Sequence, residues 1–564
     1  MKMKTRTKKT FLLASVLFVS MANVFAGSND KGIEYYRAGL YNAAKIYFTQ
    51  QTNLPASEQA ENYYYLGQAN YKLDQVEAAR DFYKKAVDAD PEYPFGYIGL
   101  GKLELKNNPK AAEDLFKKAF GLAKKNASVP AEVAEVYVTA GNKLKADEAL
   151  ERARKINKKY PGIFLVEGDM LKNEGKIGDA CSQYENAILY DPNDKVSYLR
   201  LAQIYKGINP DQALQYLDKL LTIDPNYIPA YAEIGDINYV QGRYKAALEA
   251  YEKFIAVPGV PLTQHERYAS ALYFDEQYDK SLEEIKYVLS QDPDNAVMYR
   301  IEAYNNYKNK NFELGIEQMN KFIQNTPKEK HIYYDYVTLG DLQVEMKQPE
   351  LALESYKKAL ELDSTKIVVY DKLTTAAENA KNYPLAIEYY EKSFAVNPDF
   401  SLMSLFYYGR ANFNAASYYI DPQTLAEEKA NPALATTNET AFSAYVQKGT
   451  KVFSDVITRK PDTYLGYLWR ANISALVDSY NQLRDKPMDG IAKPYYEEAL
   501  NFMLENNANG ARNKDIIDCY RYLASYYYTQ DDLNLVGDYY KRILAIDPNN
   551  DQAKKTLDML KIKY

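Results

Sequence analysis

Residues 63–91 read YYYLGQANYKLDQVEAARDFYKKAVDADP, and this stretch decides the fold. It reads as two amphipathic helices. Gly67 lets the first helix approach its partner closely, and Ala79 does the same from the second. Tyr83, four residues after Ala79, lies on the same helical face and fills the space between them. Pro91 cannot continue a helix and closes the unit.

The pattern recurs. Residues 198–225, YLRLAQIYKGINPDQALQYLDKLLTIDP, and 336–364, YVTLGDLQVEMKQPELALESYKKALELDS, have the same plan. The small residue after the leucine falls at Gly32, Gly67, Gly101, Ala134, Gly168, Ala202, Gly235, Ala269, Ala303, Gly340, Thr374 and Gly409. The intervals are 35, 34, 33, 34, 34, 33, 34, 34, 37, 34 and 35 residues. A period held over eleven intervals marks a repeat array, in which each unit buries its apolar face on its neighbours. Two less regular markers, Ala471 and Ala524, bring the expected number of repeats to about 14.

Length and composition agree. A chain of 564 residues exceeds one compact core and calls for several domains or an array. With 46% hydrophobic and 26% charged residues it reads as a folded protein. Its 25 glycines and 23 prolines are too few for a collagen-like or linker-rich chain.

The first 26 residues stand apart. Lys2, Lys4, Arg6, Lys8 and Lys9 precede an apolar run from Phe11 to Phe25, and Val24-Phe25-Ala26 offers small side chains for cleavage. This reads as a secretory signal peptide, the run being shorter than the ~20 residues of a spanning helix. Its removal moves the formal charge from −6 to −11. An acidic chain argues against nucleic acid and against anionic bilayer surfaces. Two cysteines, Cys181 and Cys519, make no disulfide scaffold, and their scarcity suits a bacterial envelope. The expected location is the periplasm. The glycan-acceptor pattern at Asn126, Asn438 and Asn472 is read there as chance.

Catalytic motifs start and are not completed. Gly96 to Lys102 matches seven positions of a phosphate-binding loop, but Leu103 stands where a magnesium-binding hydroxyl belongs. No apolar strand precedes it. His265-Glu266 begins a zinc-protease motif whose second histidine is replaced by Ala269. The histidines, His265 and His331, lie repeats away from both cysteines. The expectation is no enzyme, no cofactor and no metal.

Taken together, these units resemble the tetratricopeptide repeat family over about residues 28 to 550. The resemblance implies an all-α, right-handed α-solenoid with Asp551 to Lys563 as its capping helix. The expected organisation is a signal peptide (1–26), a regular array (27–400), repeats with inserted loops at about 415–440 and 484–494 (401–506), and a last repeat with cap (507–564). The 415–440 insertion is read as a long loop with one short helix, able to serve recognition.

The resemblance also implies that first helices line an inner groove. With the marker counted as position eight, positions five, nine and twelve face that groove. They give Tyr64, Gln68, Tyr71, Ile98, Lys102, Asp169, Asp236, Tyr239, Tyr273, Arg300, Tyr304, Tyr307, Asp341, Phe406, Arg410 and Phe413. In this register Tyr63 is core, Tyr64 and Tyr71 face the groove, and Tyr65 points to a neighbouring helix or outward. The basic set with which some members hold a peptide carboxylate is missing. The expected function is a protein–protein scaffold in the bacterial envelope, serving an assembly, secretion or transport complex. Its alternative is a module that stacks a glycan or other small envelope ligand on the aromatic lining. Under the scaffold reading, replacing Tyr304 and Tyr307 by alanine weakens partner pull-down while thermal stability barely changes, and a large loss of stability instead would mean that these tyrosines pack.

Overall fold

The computed structural model describes residues 29–51, 54–507 and 510–564. The signal-peptide expectation lies outside them. Among the described residues the chain forms thirty α-helices and two short 3-10 turns, with no strand. Twenty-eight of the α-helices make fourteen pairs, one per repeat, and Asp551–Met559 caps the last. The remaining helix, Pro422–Ala430, is an insertion.

The sequence pattern has a direct physical cause at each step. A Cβ built on Gly67 would lie 2.5 Å from the Tyr83 ring, and on Gly235 2.5 Å from the Tyr251 ring. The marker is small because a large aromatic from the second helix occupies its Cβ position. The glycines of the phosphate-loop lookalike have this role too. They lie in the helix Pro94–Glu104, where Gly101 faces Phe116 and Gly99 faces Tyr83.

Turn chemistry fixes the period. Seven residues after the marker the backbone enters the left-handed region, with φ of 58° at Asp74, 72° at Gly141, 58° at Lys347 and 55° at Lys381. At the repeat's end an aspartate accepts from the backbone N–H two residues on. The distance is 2.9 Å for Asp90 to Glu92, 3.0 Å for Asp191 to Asn193 and 2.9 Å for Asp224 to Asn226. These side-chain turns explain why Asp precedes the punctuating proline.

The chain divides into two compact units, one up to Met298 and one from Tyr299 on, so the division falls inside repeat nine. In the second unit, the expected 415–440 loop is mostly helix. Asp421 caps Pro422–Ala430, and the next helix, Leu434–Arg459, runs for 26 residues. Proline at the first helical position and the alanines of this segment favour helix where polarity suggested loop. The two insertions hold each other. Arg484 forks onto Glu428, Nε to Oε1 at 3.0 Å and Nη2 to Oε2 at 2.6 Å. Its guanidinium lies 3.5 Å from the centre of the Tyr480 ring.

Candidate protein-binding face

The face of the first helices differs between the two units. In the first unit it is filled from within. Tyr64, expected to line a groove, is 1% exposed. Its hydroxyl donates to Glu132 of the helix Ser128–Thr139 at 2.5 Å and accepts from Gln68 Nε2 at 2.5 Å. Lys102 donates to Gln68 Oε1 at 2.9 Å and lies 4.4 Å from the centre of the Tyr71 ring. Tyr83 also donates to Gln68 Oε1, at 3.1 Å. The four predicted groove residues Tyr64, Gln68, Tyr71 and Lys102 are therefore brought together, but as an internal network. Tyr63, expected in the core, is only half-buried and stacks on Phe82. Tyr65 meets a neighbouring repeat, stacking on Phe48.

The cause is the first repeat, which folds onto this face. Arg37 Nη1 reaches Glu135 at 3.1 Å and its Nη2 reaches Glu132 at 3.4 Å. Glu34 pairs with Lys195, which also holds Asp224 at 3.0 Å. Ala38 packs on the apolar cluster that contains Tyr198 and Tyr227. A Cβ on Gly259 would lie 2.9 Å from the Ala43 nitrogen. Repeat one thus touches repeats four, six and seven and the loop before repeat eight. Burial and the neighbouring Glu135 charge raise the Glu132 carboxyl. Burial also acts on Glu135, but Arg37 and Lys102 hold it below the ordinary value. Burial lowers the Lys102 amine to about 8.

A second device uses predicted groove residues in both units. Asp169 accepts from Tyr184 at 2.7 Å, Asp236 from Tyr251 at 2.9 Å, and Asp341 from Tyr356 at 2.7 Å. Each aspartate also pairs with a cation of the next repeat. Arg200 lies 3.5 Å from Asp169, Arg267 pairs with Asp236, and Lys372 lies 2.6 Å from Asp341. The spacing is Asp, Tyr fifteen residues later, and Arg or Lys thirty-one later. The groove-facing position thus ties the core aromatic to the next repeat. This spacing was present in the sequence, and a search at the repeat period finds it.

The remaining predicted residues are mostly spent on packing. Tyr273 is buried, and half-buried Tyr239 meets Tyr244 edge-on. Tyr304 is 5% exposed, and its hydroxyl donates to Asp335 at 2.5 Å. Arg300 pairs with Asp335 at 2.9 Å and covers Phe322. Tyr307 is half-buried beside Phe312. Tyr304→Ala therefore costs stability, contrary to the expectation, because it removes a buried ring and one partner of a buried carboxylate. Phe406, Phe413 and Phe453 surround the sole tryptophan, Trp469. Arg410 lies 5.5 Å from the ring centres of both Tyr407 and Trp469, and its Nε has no hydrogen-bond partner.

The second unit keeps an open stripe that the sequence reading missed. Tyr334, Val368, Met403 and Leu465 are large apolar residues, all exposed. Each stands six residues before its marker, at position two of a first helix. Position two lies one turn before position five on the same helical face. In repeats two to seven the same position holds Glu61, Phe95, Ser128, Gly162, Val196 and Pro229, none of them exposed, and exposure at this position begins with Thr263 and Val297 of repeats eight and nine. The common register was the signal available.

Among the described residues no group of side chains is arranged to hold a metal ion, and no helix is long and apolar enough to cross a membrane. Cys181 and Cys519 are buried free thiols, and burial raises both.

Paired helices at a fixed period, with small residues under large second-helix side chains, define an α-solenoid repeat protein. The sequence profile of the tetratricopeptide repeat matches residues 29–94 and again 336–366. The chain carries tetratricopeptide repeats in these stretches. It is 27% identical over 192 residues to small glutamine-rich tetratricopeptide repeat-containing protein 2 of Saccharomyces cerevisiae, across 34% of this chain and 51% of that one. It is 25% identical over 390 residues to a TPR repeat-containing protein of Methanocaldococcus jannaschii, across 64% of this chain and 66% of that one. The chain thus spans about half the length of the first relative and 66% of the second. Among solved structures, the C-terminal part of a TPR repeat-containing protein from Cytophaga hutchinsonii is 24% identical, with a TM-score of 0.36, covering 52% of this chain and 99% of that one. Proteins of this family generally mediate protein–protein interaction, and the repeat fold is typically a non-enzymatic scaffold.

Proposed function

We propose that this chain is a protein-binding scaffold of the bacterial envelope that holds an apolar segment of a partner protein on the second unit. The observation that carries this reading is the stripe of Tyr334, Val368, Met403 and Leu465. Val368 is 51% exposed and Met403 59%, in a register that repeats two to seven keep covered. Large apolar side chains exposed in register on a rigid array mark an interaction surface. Tyr407 and Arg410, one and two turns beyond Met403, add an aromatic ring and a cation of the types enriched at binding hot spots. The envelope location is supported by the basic start, the apolar run and Val24-Phe25-Ala26. The partner belongs to an assembly, secretion or transport complex of that compartment.

The test is in-cell crosslinking of the tagged protein followed by mass spectrometry, for the wild type and for Val368→Asp with Met403→Asp. Both residues are exposed, so melting stays within about 0.5 kcal/mol of wild type. The principal crosslinked partner is lost. Unchanged capture by the double variant would falsify this placement, and a cytoplasmic partner set would remove the envelope.

A further inference from the structure

The first repeat shows what a ligand of the first unit looks like. Its first helix, Asp30–Arg37, is only eight residues long and has no side-chain cap. A helix this short has little stability of its own and depends on what it packs against. Glu34, Arg37 and the following Ala38 reach the later repeats, and residues spaced by three and four share one helical face.

The receiving surface is matched in charge. Lys195 meets Glu34, while Glu132 and Glu135 meet Arg37. Glu132 is 11% exposed, and one guanidinium delivered by a distant part of the chain pairs with both neighbouring carboxylates. The seat is imperfect. The Tyr227 hydroxyl, on the cluster that receives Ala38, is buried without a hydrogen-bond partner. A buried unpaired hydroxyl weakens the closed arrangement relative to one that satisfies it.

We propose that the first repeat is a removable plug. The surface beneath it, from Glu132 and Glu135 to Lys195, is a docking site for a partner helix that carries an acidic residue and, one turn later, an arginine. The plug occupies this site in cis, and a partner with the same face displaces it. The inference rests on the reading of the chain as a protein-binding scaffold. It adds a second site, regulated by the chain itself, that is distinct from the apolar stripe.

The probe is a labelled synthetic peptide of residues 29–51, the plug supplied in trans. This choice separates the two readings, since the peptide reports on the first unit whatever docks on the second. Binding is measured by fluorescence anisotropy to three forms of the full chain: wild type, Arg37→Gln, and Glu34→Cys with Lys195→Cys joined by a short bis-maleimide. The native thiols are buried, so the linker joins only the introduced pair. The peptide binds Arg37→Gln at least tenfold more tightly than wild type. It does not bind the joined form, and a peptide carrying Arg37→Gln binds at least tenfold more weakly. Equal affinity for wild type and Arg37→Gln, binding that survives joining, or no binding to any form overturns the proposal. If Arg37→Gln does not fold, amide exchange decides. In the wild type the helix Asp30–Arg37 exchanges faster than Lys195–Tyr205, and joining slows it. Equal exchange of the two helices overturns the plug.

Discussion

Repeats two and twelve carry the same kind of residues on their first helices and use them differently. Tyr64, Gln68 and Tyr71 in repeat two are closed over by Glu132, Lys102 and the first repeat. Met403 and Tyr407 in repeat twelve remain exposed, beside an Arg410 that meets rings and whose Nε has no hydrogen-bond partner. Aromatic density therefore does not locate a binding face. What separates the two is whether a distant part of the chain returns to cover the helices. Over repeat two it does, and Tyr64, Gln68, Lys102 and Glu132 are paired among themselves. Along the stripe of the second unit, large apolar side chains stay in contact with water.

The contrast can be broken most strongly at the shared core. Tyr251→Ala, which empties the space under Gly235, costs about 3–5 kcal/mol. Tyr251→Phe keeps the ring and costs about 1–2 kcal/mol, because Asp236 loses a donor while buried. Thermal unfolding of the pair separates filling from bonding, and equal losses would show that the hydroxyl alone matters.

Arg37 tests the comparison itself. Arg37→Ala leaves Glu132 and Glu135 without their guanidinium and costs the first unit about 2–3 kcal/mol, below a fully buried pair because Arg37 is partly exposed. Arg410→Ala costs the second unit less than about 1 kcal/mol. Trp469 is the sole tryptophan and lies in the second unit, so its fluorescence follows that unit while circular dichroism follows both. Arg37→Ala moves the dichroism transition and leaves the fluorescence transition in place. A matching shift in fluorescence would break the separation of the two faces.

Proton linkage sharpens it further. Unfolded, the Lys102 amine keeps its proton to about 10.5, whereas folded it releases it from about 8. Between these values the unfolded chain binds more protons, so the first unit gains stability as pH rises, by at most about 1.4 kcal/mol per unit. Urea unfolding of repeats two to four followed by amide exchange at pH 8 and 9 reads this gain. Lys102→Met abolishes it, and a slope that persists in that variant would assign it elsewhere.

The smallest effect concerns the turns. Lys347 sits at φ 58°, a conformation that costs a side-chain-bearing residue about 1 kcal/mol. Lys347→Gly therefore stabilises the second unit by about 0.5–1 kcal/mol, and Gly141→Ala destabilises the first by a similar amount. Melting temperatures that shift the other way would mean that these turns relax.

The period, the helix pairs, the Asp-Pro turns and the second-helix aromatics packed under the markers were legible in the amino-acid order alone. Each is set within about thirty-five residues, by helical spacing, a small residue opposite a large one, and residues that cannot extend a helix. That order also contained the Asp, Tyr and Arg or Lys spacing, which needed only to be sought at the repeat length. The tertiary structure decided which faces are covered. Tyr64 and Met403 lie in equivalent helices, yet one is covered by Glu132, sixty-eight residues away, with Arg37 closing over it. The mutual hold of Arg484 and Glu428 was likewise invisible, since its partners are fifty-six residues apart in segments that break the period. A local pattern specifies which side of a helix is apolar. Only closure of the chain over long separations decides whether that side meets protein or water.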